Sequence, residues 1–372
     1  IFSSNENPTS ITCNVWGGNE QQLIDLIPEL ENLGITNTVF CFKKSAMYQY
    51  CLKNNIRHIS ITKKSTYSIN LAFKLNKIVE DNSIDIIHMH TSNSVGTFLL
   101  FQIIFNKKIG SVFSKKGISD SSSSFSKIKY NFKKIDQFIC VSKAVQENFS
   151  KILSSQNKLK LNLVYDGINL NRLNSNSSYN IRKELKLDDN VFIIGSIANH
   201  SKAKDLNTLI KAIYELTNNL KEKNIFCFQI GKHSDLTFNY HSLIKKLNIN
   251  KYIKLVGHKK NASSYLSQFN CLCFSSVREG LPLSILEGFH AKIPIISTKA
   301  GGIPEVIFDG ENGSLVDVHD YKMLAEKIKK LVYSNELRKK FIINGKKTLE
   351  NKFTNKICAM NTLSVYKKTI EN

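Results

Sequence analysis

Ser275-Ser276-Val277-Arg278-Glu279-Gly280-Leu281-Pro282-Leu283-Ser284-Ile285-Leu286-Glu287-Gly288 decides how this chain is read. The apolar run Cys271 to Phe274 before it predicts a strand, and the small polar turn after it predicts a strand end. Pro282 suits the first position of a following helix, because its missing N–H is lost there anyway and its φ is already helical. Gly280, Leu281, Pro282 and Leu283 would then bring the amides of the first turn and the positive end of the helix dipole to an anion. Glu287 would lie ~7.5 Å further along the axis at 1.5 Å per residue. A diphosphate seated on those amides, with one sugar on Glu279 and another on Glu287, fits this layout. Nucleotide-sugars have that shape. The plainer reading is a strand, a turn and a helix carrying two solvated glutamates.

The next segment argues against the plainer reading. Ile293-Pro294-Ile295-Ile296-Ser297 predicts a short buried strand, followed by Thr298-Lys299-Ala300-Gly301-Gly302-Ile303-Pro304-Glu305. Paired glycines permit close backbone approach, and Pro304-Glu305 predicts the start of another helix. Together the two blocks resemble the donor site of family 4 glycosyltransferases, marked by two glutamates with seven residues between them and a Thr-x-x-Gly-Gly-x-Pro-Glu turn. The resemblance runs over nearly the whole chain and is most specific between Val256 and Asp317.

Length and composition set the frame. The 372 residues suggest about two domains. No apolar run reaches the ~20 residues that span a bilayer, and no signal peptide is visible at Ile1. Eight cysteines, at 13, 41, 51, 140, 227, 271, 273 and 358, form no C-x-x-C pair and several sit in apolar strands. Buried free thiols in a reducing compartment account for them, which places the chain in the cytoplasm. Net charge is +22, and twelve lysines face three acidic residues between Lys107 and Lys160. Such a stretch attracts nucleic acid, anionic lipid or a phosphorylated glycan, or is simply a solvated face.

Apolar strands alternate with helical patterns throughout, as in α/β proteins with parallel sheets. Strands are expected at 37–42, 84–88, 109–113, 137–141 and 162–165, with a helix at 68–80. Residues 126–137 are expected to form a helix that interleaves Ile128, Tyr130, Phe132 and Ile135 with lysines. Ser119 to Ser126 reads as a low-complexity loop. A polar linker is expected over 171–190. A second α/β series begins at Val191, with a helix at 205–217, and a basic helical tail runs from Leu337. The predicted organisation is an N-terminal, acceptor-side Rossmann-like domain over 1–170 and a nucleotide-sugar domain over 191–350. A tail over 351–372 is free to cross back to the first domain. The resemblance implies the GT-B fold, two doubly wound domains facing across a cleft.

The remaining candidates come from both halves. Gly17 and Gly18 precede a helical pattern, and paired glycines there let amides reach a phosphate; they resemble the Gly-Gly loop that closes on the donor in this family. Trp16, the single tryptophan, would line the acceptor site or be core. His88 and His90 end a strand. As an i,i+2 pair they face one way and could ligate a metal, yet no third ligand stands near; the Asp-Ile-Ile-His-Met-His string is similar to the family's, and His90 is the expected acceptor contact. In Asn199-His200-Ser201-Lys202-Ala203-Lys204, Lys204 matches the family's phosphate-binding lysine. The family's arginine position carries Asn199 or Ser201, and Lys202 would compensate as a point charge. Relatives place a histidine near Lys115-Lys116-Gly117; here Lys116 would instead support an anionic acceptor.

The resemblance implies a retaining hexosyltransferase, peripheral on the inner face of the cell membrane. Its donor would be a nucleoside-diphosphate sugar, UDP ahead of GDP, and its acceptor a surface glycan of the lipopolysaccharide, O-antigen or capsule kind, or a lipid-linked precursor. Glu279, Lys204 and His90 are the expected catalytic set. Gly17, Gly18, Asn199, Lys202, Gly280 to Leu283 and Glu287 would bind donor. No cofactor and no metal are expected, since amides and cations neutralise the diphosphate, and no nucleic acid is expected as partner. Three other readings compete: a nucleotide-sugar epimerase of the same fold, a non-catalytic partner of an active transferase, and a basic nucleic-acid-binding protein. The glutamate spacing favours transfer over epimerisation, and no recognised nucleic-acid motif accompanies the lysines.

Overall fold

The computed structural model describes residues 17–62, 68–119, 123–173 and 178–371. Its strands read as the sequence pattern asks. β7 (Phe192–Ile197) and β8 (Ile225–Ile230) are near-continuous apolar runs, as expected of parallel strands covered on both faces. They belong to a six-stranded sheet with β9 (Ile253–Leu255), β10 (Cys271–Phe274), β11 (Ile295–Thr298) and β12 (Ser314–Val316). The order is β12-β11-β10-β7-β8-β9, and every pair is parallel. Winding therefore reverses between β7 and β10, and ligands of such sheets bind beyond the carboxyl ends of the strands at that switch point.

The first half holds a parallel pair, β1 (Val39–Phe42) with β2 (His58–Ile61), and a four-stranded parallel sheet. The latter runs β3 (Ile86–Met89), β4 (Gly110–Lys115), β5 (Gln137–Cys140) and β6 (Leu161–Leu163) in spatial order. The chain divides into two units, one within Ile1–Gly167 plus Asn355–Asn372 and the other Ile168–Thr354. Where the chain enters and leaves the second unit it is stitched: Ile168 N donates to Phe353 O at 3.1 Å.

The expected tail resolves into two helices, Asn335–Lys352 and Asn355–Glu371. Cys358, Ala359, Val365 and Tyr366 of the second join Leu26, Val112, Ile139 and Val164 in the first unit's core. Asn355 fixes its start by donating Nδ2 to Asp25 O at 2.8 Å.

Several local expectations need correction. The helix expected over 126–137 is Ser124–Tyr130, begun by Ser123 Oγ and ended where Asn131 turns its amide onto Lys127 O. Its buried side are Lys129 and Tyr130, while Ile135 is core beyond it. Ser124 to Ser126, read as loop, thus form its first turn; residues 120–122 lie outside the described residues, as does Trp16. Residues 303–305 make only one 3-10 turn. The expected linker contains a short helix, Ile181–Leu185, capped by Asn180. Seven cysteines among the described residues are free and buried, and burial pushes the Cys140 and Cys273 thiols up to about 12.

Candidate functional site

The carboxyl ends of β7 and β10 meet at the switch point through their loops. Val277 N donates to Ala203 O at 2.8 Å, and Ser275 Oγ donates to Lys204 O at 3.0 Å. These bonds place the turn that ends in Lys204 against the turn that carries Glu279. Lys204 Nζ donates to Glu279 Oε1 at 2.5 Å, and Ser276 Oγ donates to the same oxygen at 2.6 Å. Glu279 is only 8% exposed. Its backbone is fixed as well: Gly302 N donates to Glu279 O at 3.2 Å from the Gly301-Gly302 turn, where Gly301 takes φ +53°. Thr298 Oγ1 donates to Ser276 O at 2.5 Å. The two sequence blocks are thus one structure, with the glycine turn as the backing of the Glu279 loop.

Pro282 departs from expectation. It is the residue before the helix, with φ −75° and ψ 112°, and the helix is Leu283–His290. Among the described residues no side chain caps that N-terminus. Its first amides are therefore the ones an anion would meet, and Leu281 and Pro282 just before them are buried. Glu287 lies in the second turn, where Arg172 Nη2 donates to Glu287 Oε1 at 3.0 Å. Arg172 comes from the short 3-10 turn Leu170–Leu173, just after the chain enters this unit. Each glutamate of the motif is therefore held by its own cation, on either side of an uncapped helix start.

Asn199 is exposed, its Oδ1 accepting from Lys232 N at 2.8 Å, so it ties the β7 loop to the β8 loop. The two loops approach so closely that a Cβ on Gly231 would lie 1.8 Å from Ala198 O. Lys202 is exposed on the turn before Lys204. Between them His200 is buried, bonded to Thr237 Oγ1 at 2.7 Å and Gln229 Oε1 at 2.9 Å, and burial holds its pKa below the usual value.

The first-unit candidates sit differently. Gly17 precedes the helix Gly18–Asn32, but its amide already donates to Glu20 Oε2 at 3.1 Å. An anion would have to displace that carboxylate. His88 spans Tyr366 OH at 2.7 Å and Ser114 Oγ at 2.8 Å, a structural position that excludes it as a ligand. His90 packs against it with ring centroids 4.0 Å apart, is 6% exposed, and neither ring nitrogen has a partner among the described residues. Burial drives both imidazoles well below their ordinary pKa, so they are neutral at pH 7. Lys116 corrects a further expectation. Its Nζ donates to Asp166 Oδ1 at 2.6 Å and to Gln22 Oε1 at 2.9 Å, so its charge is neutralised internally rather than offered to an acceptor. Among the described residues no group of three or more His, Cys, Asp or Glu is placed to hold a metal ion.

Sequence reasoning missed Arg172, Ser276, Asp166 and Tyr366. Only Ser276 lay close enough to a motif to be found, three residues before Glu279.

Comparison with known proteins identifies relatives over nearly the whole chain. A model of "Glycosyltransferase Family 4" matches residues 16–172, and one of "Glycosyl transferases group 1" matches 177–348. An uncharacterized glycosyltransferase of Methanocaldococcus jannaschii is 26% identical over 361 residues, 95% of each chain. The capsular polysaccharide biosynthesis glycosyltransferase CapM of Staphylococcus aureus is 30% identical over 180 residues, 48% of this chain and 47% of that one. The crystal structure of Anabaena HepE in complex with UDP and glucose superposes with a TM-score of 0.82 at 19% identity, covering 98% of both chains.

Proposed function

From the premise that the chain is a GT-B glycosyltransferase of the family 4 type, we propose that it moves a hexose from a UDP-sugar, with retention, to a hydroxyl of a surface glycan or its lipid-linked precursor. One observation carries the donor assignment: two glutamates, each gripped by its own cation, flank an uncapped helix N-terminus at the switch point of a doubly wound sheet. In this reading the diphosphate lies on the amides that open the helix Leu283–His290. Lys204 has three ammonium protons and gives one to Glu279, so others are left for phosphate oxygens. Glu279 orients the donor hexose, and Glu287 accepts the ribose hydroxyls with the oxygen that Arg172 leaves open. As the glycosidic bond to the diphosphate breaks, negative charge grows on the leaving group, where the helix end and Lys204 stabilise it most. His90, neutral and without a partner among the described residues, is assigned to the acceptor hydroxyl. HepE crystallised with UDP and with UDP-glucose supports uridine as the donor base, and CapM supports a surface glycan as product.

Titration calorimetry with UDP, GDP and a UDP-sugar panel tests the reading. UDP should bind, and Glu287→Ala should weaken it by roughly 1.5–3 kcal/mol, the worth of a charge-assisted contact, without unfolding the protein. Equal affinity for UDP before and after that change would remove Glu287 from the ribose site.

A further inference from the structure

The lysine-rich part of the first unit was expected to present one amphipathic helix. The structure replaces that helix with a different surface. Ser124–Tyr130, the turn after it, and the Lys151–Lys160 segment are locked together by side chains. Asn131 Nδ2 donates to Ile152 O at 2.8 Å and its Oδ1 accepts from Ser154 N at 2.6 Å. Asn157 Nδ2 donates to Tyr130 O at 3.1 Å, and Lys160 Nζ donates to Ile135 O at 2.7 Å. The two segments therefore form one preset face.

Its composition is unusual for a solvated surface. Residues 123–135 and 148–160 contain no Asp or Glu. Lys127, Lys133, Lys134, Lys151 and Lys158 are all exposed on them. Three large apolar side chains are exposed among these lysines: Phe125 at 57%, Ile128 at 71% and Leu159 at 88%. Of the acids next in sequence, Asp136 spends its carboxylate on Ser111, accepting from the amide at 2.8 Å and the hydroxyl at 3.0 Å. Glu147 is exposed and is the one acidic neighbour left among the described residues, Asp120 lying outside them. Lys129 belongs to the interior instead, its Nζ donating to Ser92 Oγ at 2.5 Å.

A single exposed leucine says nothing, and a lysine run alone is commonly a solvated face. The combination is more specific. Weak apolar insertion and a polybasic patch are each marginal for membrane attachment, and two signals together give a stable anchor. Among the described residues no helix is long and apolar enough to cross a membrane, and attachment at the surface is the mode this face can supply. We propose that this face docks the protein on an anionic lipid bilayer, with the lysines over the headgroups and Phe125, Ile128 and Leu159 entering the interface. Nucleic acid fits less well, because the exposed apolar tips are aliphatic at two of three positions and aliphatic groups do not stack on bases. The proposal draws its purpose from the lipid-linked acceptor proposed above, but its test does not depend on transfer.

Flotation with phosphatidylglycerol-containing and pure phosphatidylcholine vesicles, at low and high salt, measures the docking. The full chain should float with the anionic vesicles at low salt only. Changing Lys127, Lys133, Lys134, Lys151 and Lys158 to Gln should lower the partition coefficient by at least about tenfold. The same charge change at Lys245, Lys246, Lys254, Lys322 and Lys339, exposed in the other unit, should change it by less than about threefold. Equal losses in the two variants would mean that net charge alone is read, and would overturn the proposal. Ile128→Ser with Leu159→Ser should lose the fraction that resists intermediate salt; retention of that fraction overturns the insertion step. Tighter binding of the parent protein to single-stranded RNA than to vesicles, lost in the first variant, would reassign the face. UDP titration of every variant reports folding separately, and a parent protein that floats without binding UDP would count against the donor site and not against this face.

Discussion

Each unit has a lysine and a carboxylate joined beyond the end of its sheet, and the two pairs are built for different ends. Lys116 and Asp166 are 2.6 Å apart with side chains 11% and 8% exposed; Lys204 and Glu279 are 2.5 Å apart with side chains 25% and 9% exposed. Lys116 has a second acceptor in Gln22, and Gln22 Nε2 reaches Cys358 of the returning helix at 3.6 Å. Even beside the lysine, burial raises the Asp166 carboxyl above its ordinary value. That pair is sealed and satisfied from within. Among the described residues Lys204 has one carboxylate partner, a quarter of its side chain open, and a helix end in the same unit that no side chain caps. A closed pair secures a fold, whereas a half-open pair is available to a ligand.

Removing one lysine from each pair should break the comparison most visibly. Lys116→Met strands Asp166 as a buried carboxylate and should lower unfolding free energy by about 3–5 kcal/mol. Denaturant unfolding measures it, and UDP affinity of the folded fraction should stay unchanged. Lys204→Met should reduce transfer by about 10²–10³-fold, as expected when one donor to a developing oxyanion is lost. Its stability loss should be well below that of Lys116→Met, since Ser276 still bonds Glu279. Two variants with equal stability losses would show that the second pair is structural too.

Glu279→Gln and Arg172→Met sharpen the comparison within the donor unit. Glu279→Gln should depress transfer far more than it weakens binding of free UDP, because UDP lacks the hexose that Glu279 is assigned to orient. Arg172→Met leaves Glu287 in place but frees its side chain, and should weaken UDP by about 1 kcal/mol, the net worth of one hydrogen bond, with Arg172→Lys recovering part of it. A loss as large as that of Glu287→Ala would put Arg172 itself on the nucleotide.

These pairs also show what could be read beforehand. The strand, turn and helix around Glu279 were legible because all of their signals fall within one short stretch of chain. Lys204 and Glu279 were each legible, but not as partners, since the bond joins residues 75 apart. Arg172 was invisible because nothing local marks a residue 115 positions from Glu287. The His88–Tyr366 bond, across 278 residues, exists only because the last helix returns to the first unit. Pro282 misled through its propensity: its own backbone is extended, with ψ 112°, so the proline ends the loop instead of opening the helix. The shortened helix at Tyr130 was lost to tertiary bonding, because Asn131 finds partners at Ile152 and Ser154 that no periodicity announces.

The smallest effect expected is a pH dependence that belongs to the sealed pair. Burial raises the pKa of Asp166 above its ordinary 3.8, the Lys116 interaction offsetting only part of the rise. Between the unfolded and folded values the native state therefore holds more proton at this site than the unfolded chain does. Stability from this group is full below the unfolded pKa and falls as pH rises through the folded pKa. Asp166→Asn removes the titration while leaving Lys116 an oxygen to donate to. The melting temperature of the parent protein minus that of Asp166→Asn should then be larger at pH 4 than at pH 7, because groups common to both proteins cancel in the difference. A difference that instead shrinks on acidification would mean that the lysine outweighs burial, and that the pair is held by its charge rather than by the closure of the fold around it.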